Sequence, residues 1–233
     1  MTSLKAFKMD GLGNSFIIID RRNKDISLSK EEIIKLKKTE NFDQLIYIDK
    51  EQGDILPVKI FNHDGKEVDA CGNGSRCVAY ILGKEKNINE IKLKTKNRNL
   101  EANIFKDRIV KINMGKPNFE WNKIPISKKI DNENINLILE NIELNKGFAL
   151  NVGNPHIIFF VEDFHKYNLK KIGPLVENHE LFPDRCNLTL AKIEDKKRIK
   201  IYVWERGAGI TKACGTAACA TTVAAFNKGL TER

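Results

Sequence analysis

The chain has 233 residues, 41% of them hydrophobic and 30% charged, with a formal charge of +9. That apolar content suits one large core or two smaller ones, and no run of about eighteen apolar residues occurs to span a bilayer. The lysines are scattered among glutamates and asparagines, without a basic block interleaved with aromatics, so the charge reads as solvated surface and excludes nucleic acid and membrane as expected partners.

In chain order, "SFIIID" (15–20) reads as a strand, and "SKEEIIKLKK" (29–38) as a helix opened by Ser29 and Glu32 at capping-box spacing. "LIYI" (45–48) and "VKIF" (58–61) are β-branched strand runs. After Cys71, "GNGSRCVAYILG" (72–83) sets Cys77, Val78, Ile81 and Leu82 at helical spacing, and Gly83 is expected to stop the helix. "EIKLKT" (90–95) and "RIVKINM" (108–114) are further strands, and "MGKP" (114–117) is the expected join between halves 1–115 and 116–233. The second half supplies the run "HIIFF" (156–160), a helix through "KIGPLVENHE" (171–180) and strands in "RCNLTLA" (185–191) and "IKIYVWERG" (199–207). "GTAACATTVAAFNKG" (215–229) has no polar face and predicts a helix buried all round.

The chain repeats itself. Cys214 follows Cys71 at the same interval as Glu205 follows Asn62 and Asn187 follows Gln44. "GNSFIIID" (13–20) and "GNPHIIFF" (153–160) share Gly-Asn-x-x-Ile-Ile at nearly that interval, which aligns Asn14 with Asn154. Four matches in one order predict a duplicated unit: an α+β fold of two pseudo-symmetric halves, each a curved, mostly antiparallel, barrel-like sheet around a central helix, with the active site in the cleft between them.

Each repeated cysteine stands where a strand ends and a helix begins. Free N–H groups and the helix dipole there favour anions and are expected to lower a thiol pKa. Gly72, Asn73 and Gly74 in one copy, and Gly215 and Thr216 in the other, allow backbone to approach an anion. Two such thiols, one per copy, suit an enzyme that removes a proton from one face of a carbon and returns one to the other. Cys77, Cys186 and Cys219 read as small buried apolar residues, and His63, His165 and His179 as surface. Five cysteines without disulfide-scaffold spacing fit reduced thiols, and "MTSLKAFKMD" lacks a signal core, so a cytoplasmic protein is expected. Cys71, Cys77, Cys214 and Cys219 are poorly spaced for zinc, so no metal is expected.

"KMDGLGNSFIIID", "FNHDGKEVDACGNGSRC", "NVGNPHIIFF", "FPDRCN" and "ERGAGITKACGTAAC" together resemble the motifs of the diaminopimelate epimerase family, which is similar to proline racemases in working without pyridoxal phosphate. The resemblance implies conversion of LL-2,6-diaminopimelate to the meso isomer, on the route to lysine and peptidoglycan, with no cofactor. It implies Cys71 and Cys214 as acid–base thiols tuned by His156 and Glu205. It implies Asn14, Gln44, Asn62, Asn154 and Asn187 as lining, with Gly72, Asn73, Gly215 and Thr216 around the reacting carboxylate. Glu205 would hold an amino group and Arg206 a carboxylate. Departures are "TENFDQ" before Gln44, Asp10 and Ser15 in "KMDGLGNSF", and Ala217 in "CGTAAC". Members of the family continue past the second helix, so a truncated second half with an open sheet edge is expected. A proline or hydroxyproline racemase-like enzyme, or a non-catalytic amino acid binding protein, remain the alternatives, and a homodimer is left open.

Overall fold

The computed structural model describes residues 5–68 and 71–232; Asp69 and Ala70 of the first cysteine motif, and the first four residues of the N-terminal reading, lie outside the described residues. The chain divides into two compact units, the first ending at Gly115 and the second beginning at Lys116.

The first unit runs β1 (Lys5–Gly11), β2 (Asn14–Asp20), α1 (Lys30–Thr39), β3 (Gln44–Ile48), β4 (Ile55–Asn62), β5 (Glu67–Val68), α2 (Gly72–Lys86), β6 (Glu90–Lys94), β7 (Asn99–Ile104) and β8 (Val110–Asn113). The sheet order is β1-β2-β3-β4-β6-β7-β8, with β5 added on β4. Among the described residues of this unit, only β2/β3 and β4/β6 are parallel. Strand side chains alternate, and in β2 both faces are covered. Phe16 and Ile18 face a core shared with Val78, Ala79 and Leu82 of α2, while Ile17 and Ile19 face Ile33 of α1 and Phe42. Because α2 packs on β1, β2 and β3 and also on β6, β7 and β8, the sheet curls around it. The capping box at α1 is formed, Ser29 accepting from the Glu32 N–H and Glu32 from that of Ser29.

The second unit runs β9 (Ile135–Leu139), β10 (Ile142–Asn151), β11 (Pro155–Phe160), α3 (Leu169–Glu177), β12 (Asn187–Asp195), β13 (Arg198–Glu205), β14 (Gly209–Ile210) and α4 (Gly215–Asn227). The order is β14-β13-β12-β11-β10-β9, parallel only at β11/β12. Ile157, Phe159, Leu188 and Leu190 meet Leu169, Ile172 and Val176 of α3 on one face; Phe148, Leu150 and Ile158 meet Ala220 and Ala224 of α4 on the other.

The duplication recurs in register. Phe16 pairs with Gln44 as His156 pairs with Asn187, and Phe61 pairs with Glu67 as Trp204 pairs with Ile210. Three expectations change. Helix α2 passes through Gly83 and ends at Asn87, which takes the left-handed conformation (φ 53°); Gly83 serves close packing, since a Cβ there would lie 2.8 Å from Ile104 Cδ1. Helix α4 is not buried all round: it packs on β10–β13 from one side, and Ala218, Cys219, Thr222 and Phe226 are exposed. Cys219 is therefore not the buried apolar residue expected, and His179 is half-buried rather than on the surface, its Nδ1 accepting from the Leu181 N–H.

No helix is long and apolar enough to cross a membrane among the described residues.

Candidate active site

Each repeated cysteine is the residue that caps a central helix. Cys71 caps α2 in an extended conformation, and its Sγ accepts from the Gly74 N–H at 3.4 Å. Beside it an amide chain runs through the first unit. Asp43 accepts from the Ser15 N–H (2.9 Å) and Asn14 Nδ2 (3.2 Å), Asn14 Oδ1 accepts from Asn73 Nδ2 (2.9 Å), and Asn73 Oδ1 accepts from Arg76. An acceptor-only carboxylate at one end and a donor-only guanidinium at the other fix which way both amides point. Gln44 and Asn62 sit opposite one another on β3 and β4, and Gln44 Nε2 donates to Asn62 Oδ1 at 3.0 Å. Gln44 Oε1 is buried with no hydrogen-bond partner among the described residues. Such an orphaned acceptor favours an ammonium or hydroxyl donor from a ligand.

Cys214 caps α4 and is buried. A second chain links it to His156: the Sγ meets Thr216 Oγ1 at 3.3 Å, Asn154 Nδ2 donates to that hydroxyl at 3.3 Å, and His156 Nε2 lies 3.0 Å from Asn154 Oδ1. With Asn154 donating through Nδ2, its Oδ1 must accept, so His156 Nε2 carries the proton. Burial, reinforced by the positive charge of Arg206, pushes the His156 pKa down from 6.5 to about 3, so the ring is neutral at physiological pH.

The expected lowering of the thiol pKa is reversed at Cys214. Burial and then the Glu205 carboxylate push it well above the ordinary thiol value, against the smaller help of the Thr216 hydroxyl and Ala217 N–H. Desolvation outweighs the helix terminus, whose contribution is a fraction of a pKa unit to about one. The unliganded Cys214 thiol is thus held protonated. Burial likewise pushes Cys77 up to about 11, and Cys186 higher still, so neither is a ready nucleophile.

Asn187 donates to Pro155 O (2.7 Å) and accepts from the Arg206 N–H (3.0 Å), locking β12 to the turn after β13. Glu205 Oε1 accepts from Thr211 Oγ1, and Arg206 Nη1 donates to Asp184 O at 2.9 Å. The structure therefore gathers Cys71, Gly72, Asn73 and Asn14 at the start of α2, with Gln44 and Asn62 paired on the adjoining strands of the first unit. It gathers Cys214, Gly215, Thr216, Asn154 and His156 around the start of α4, with Asn187, Glu205 and Arg206 at the β12–β13 end of the second. Sequence reasoning missed Asp43 and Arg76; a carboxylate directly before Gln44 and an arginine one turn after Gly72 were the available signals. Among the described residues no group of three His, Cys, Asp or Glu side chains is placed to hold a metal ion.

The profile of the diaminopimelate epimerase family matches residues 6–120 and 148–233. The chain is 50% identical over 237 aligned positions to a diaminopimelate epimerase of Pelagibacter ubique, covering 99% of this chain and 86% of the relative. It is 39% identical to one of Methylocella silvestris, covering 98% and 81%. Among solved structures, one described as a predicted epimerase from Pseudomonas aeruginosa superposes with TM-score 0.67 at 14% identity, over 99% of this chain and 84% of that one. A probable proline racemase from Agrobacterium radiobacter gives 0.67 at 12%, over 99% and 79%. At those identities the two structures speak for the shared two-unit fold.

Proposed function

The chain belongs to the diaminopimelate epimerase family, and from that premise we infer that it interconverts LL- and meso-2,6-diaminopimelate by a two-thiol, cofactor-independent mechanism. It is an isomerase acting on a small amino acid, in the synthesis of lysine and peptidoglycan precursors. The observation that carries the two-thiol reading is the matched capping position of Cys71 and Cys214 at the starts of equivalent helices.

In the inferred step one sulfur, as thiolate, takes the α-hydrogen: a C–H bond breaks, an S–H bond forms, and the electron pair stays on the α-carbon and its carboxylate. The opposite thiol then gives its proton to the other face, forming the new C–H bond and leaving a thiolate. The raised pKa of Cys214 makes it the donor in the unliganded enzyme, with Cys71 the base; the reverse reaction exchanges the roles. The developing charge is met by N–H groups at Gly72, Asn73, Gly215 and Thr216, without any cofactor. Asn14, Gln44, Asn62, Asn154 and Asn187 supply the neutral donors and acceptors a zwitterion needs. Glu205, beside the Cys214 thiol, takes an ammonium of the substrate and tunes that thiol, Arg206 takes a carboxylate, and His156 steadies Cys214 through Asn154 and Thr216. A soluble cytoplasmic setting, with neither nucleic acid nor membrane involved, fits such a substrate, and a homodimer is compatible with it.

The test is conversion of LL-diaminopimelate to the meso isomer, with L-proline assayed beside it. Wild type should convert the first and not the second, and Cys71→Ala or Cys214→Ala should each lose ~10²–10⁴-fold or more in kcat. Turnover of proline alone would point to the racemase-like alternative, and full activity in either variant would refute the two-thiol mechanism.

A further inference from the structure

Building on the epimerase reading, we propose that Glu177 is a positioning residue that holds the turn presenting Glu205 and Arg206 to the substrate. Glu177 closes α3 and is 6% exposed. Its carboxylate takes three donors: Trp204 Nε1 at 2.7 Å on Oε2, and the Gly207 N–H at 2.9 Å and Arg185 Nη1 at 3.0 Å on Oε1. Trp204 and Gly207 are the residues immediately before and after the Glu205–Arg206 pair. One buried carboxylate thus grips both flanks of the pair, while Asn187 Oδ1 takes the Arg206 N–H between them.

The turn needs that grip. Gly207 and Gly209 lie at φ 75° and 80°, a left-handed stretch that glycine adopts freely and that does not fix itself. Beyond it, β14 is two residues long and pairs only with β13. The Trp204 indole is laid directly on α3, where a Cβ at Gly173 would fall 2.3 Å from Trp204 Cδ2, so the Nε1–H reaches Glu177 at a fixed angle. A buried carboxylate with three donors is costly to alter, because any neutral replacement leaves a donor unmatched. Glutamine in its place keeps one acceptor oxygen and turns an NH₂ toward either Trp204 Nε1–H or the Gly207 and Arg185 donors. Glu177 touches no proposed reacting atom; it acts through the direction of the two side chains that would grip the substrate.

The experiment compares the full-length wild type with Glu177→Gln and Trp204→Phe. Three quantities are read: thermal melting, the ¹⁵N–¹H resonance of the Trp204 indole (assigned by its loss in Trp204→Phe), and kcat and KM with LL-diaminopimelate. Glu177→Gln should melt cooperatively, shift the indole proton upfield, and raise KM about tenfold or more with a smaller change in kcat. Trp204→Phe, which removes one of the three bonds, should raise KM less. If Glu177→Gln does not fold, Trp204→Phe carries the test, a raised KM supporting the proposal and an unchanged one overturning it. A folded Glu177→Gln with an altered melting temperature but unchanged KM would reduce Glu177 to a structural role and overturn the proposal. An unshifted indole would do the same. Wild type inactive on diaminopimelate would instead remove the epimerase reading, leaving the indole shift to report on the turn.

Discussion

At the scale of residues, the environment of His156 makes the sharpest prediction. The ring is fully buried, and unfolding returns its pKa from about 3 to 6.5. Below pH 6.5 the unfolded chain therefore binds the extra proton, and stability falls as pH falls from 6.5 toward 3, by on the order of 1 kcal/mol per unit. His156→Gln keeps a donor toward Asn154 and removes that titration. Urea midpoints at pH 7 and pH 4 should differ less in the variant than in wild type, and an equal difference in both would contradict the assignment. The same burial logic explains why a helix terminus does not make Cys214 acidic. A thiol taken out of water beside a carboxylate loses more than a few N–H groups restore. Ionising it calls for a positive group brought by the substrate, whose α-ammonium is suited to the purpose.

At the scale of elements, two substitutions probe how the helices are seated. Ser29→Ala breaks the capping box and should cost ~1 kcal/mol, seen as a lower melting temperature with activity unchanged. Gly173→Ala forces a methyl into the Trp204 indole and should cost ~1–3 kcal/mol, with a loss of substrate affinity that Ser29→Ala does not show. Much of this level was legible in the sequence. The β-branched runs are strands, "SKEEIIKLKK" is a capped helix, and the repeat reappears as register, Phe16 opposite Gln44 and His156 opposite Asn187. The end of α2 was not legible, because Gly83 serves packing against Ile104 while a left-handed Asn87 makes the stop. The faces of α4 were also hidden: alanine, threonine and cysteine carry little polarity contrast, so only the packed strands decide which side is covered. Asp43 and Glu177 escaped notice because their partners, Arg185 apart, stand 27 to 30 residues away along the chain. Hydrogen bonds of that reach leave no local period.

At the scale of the whole molecule, the chain is one supersecondary plan used twice. Each unit has its own core, a parallel strand pair at matched register (β2/β3 and β11/β12) and a cysteine-capped helix packed on its sheet. The copies have diverged where a directional task requires it. The position of Asn62 in the first unit is taken by Glu205 in the second, and that of Phe16 by His156, so the repeat that supplies a neutral amide or a core ring in one copy supplies a charge or a polar relay in the other. The divergence suits a substrate with a reacting head and a distal head. Each unit carries one of the two repeated cysteines.

The decisive measurement is the fate of the α-hydrogen in the first turnovers of LL-diaminopimelate in deuterium oxide. Abstraction by one sulfur and delivery by another predicts that the newly formed meso product carries deuterium at the inverted carbon while recovered LL substrate keeps its protium, and that neither Cys71→Ala nor Cys214→Ala sustains inversion. Meso product that retains the original hydrogen, or unaltered inversion with either sulfur removed, would contradict the account.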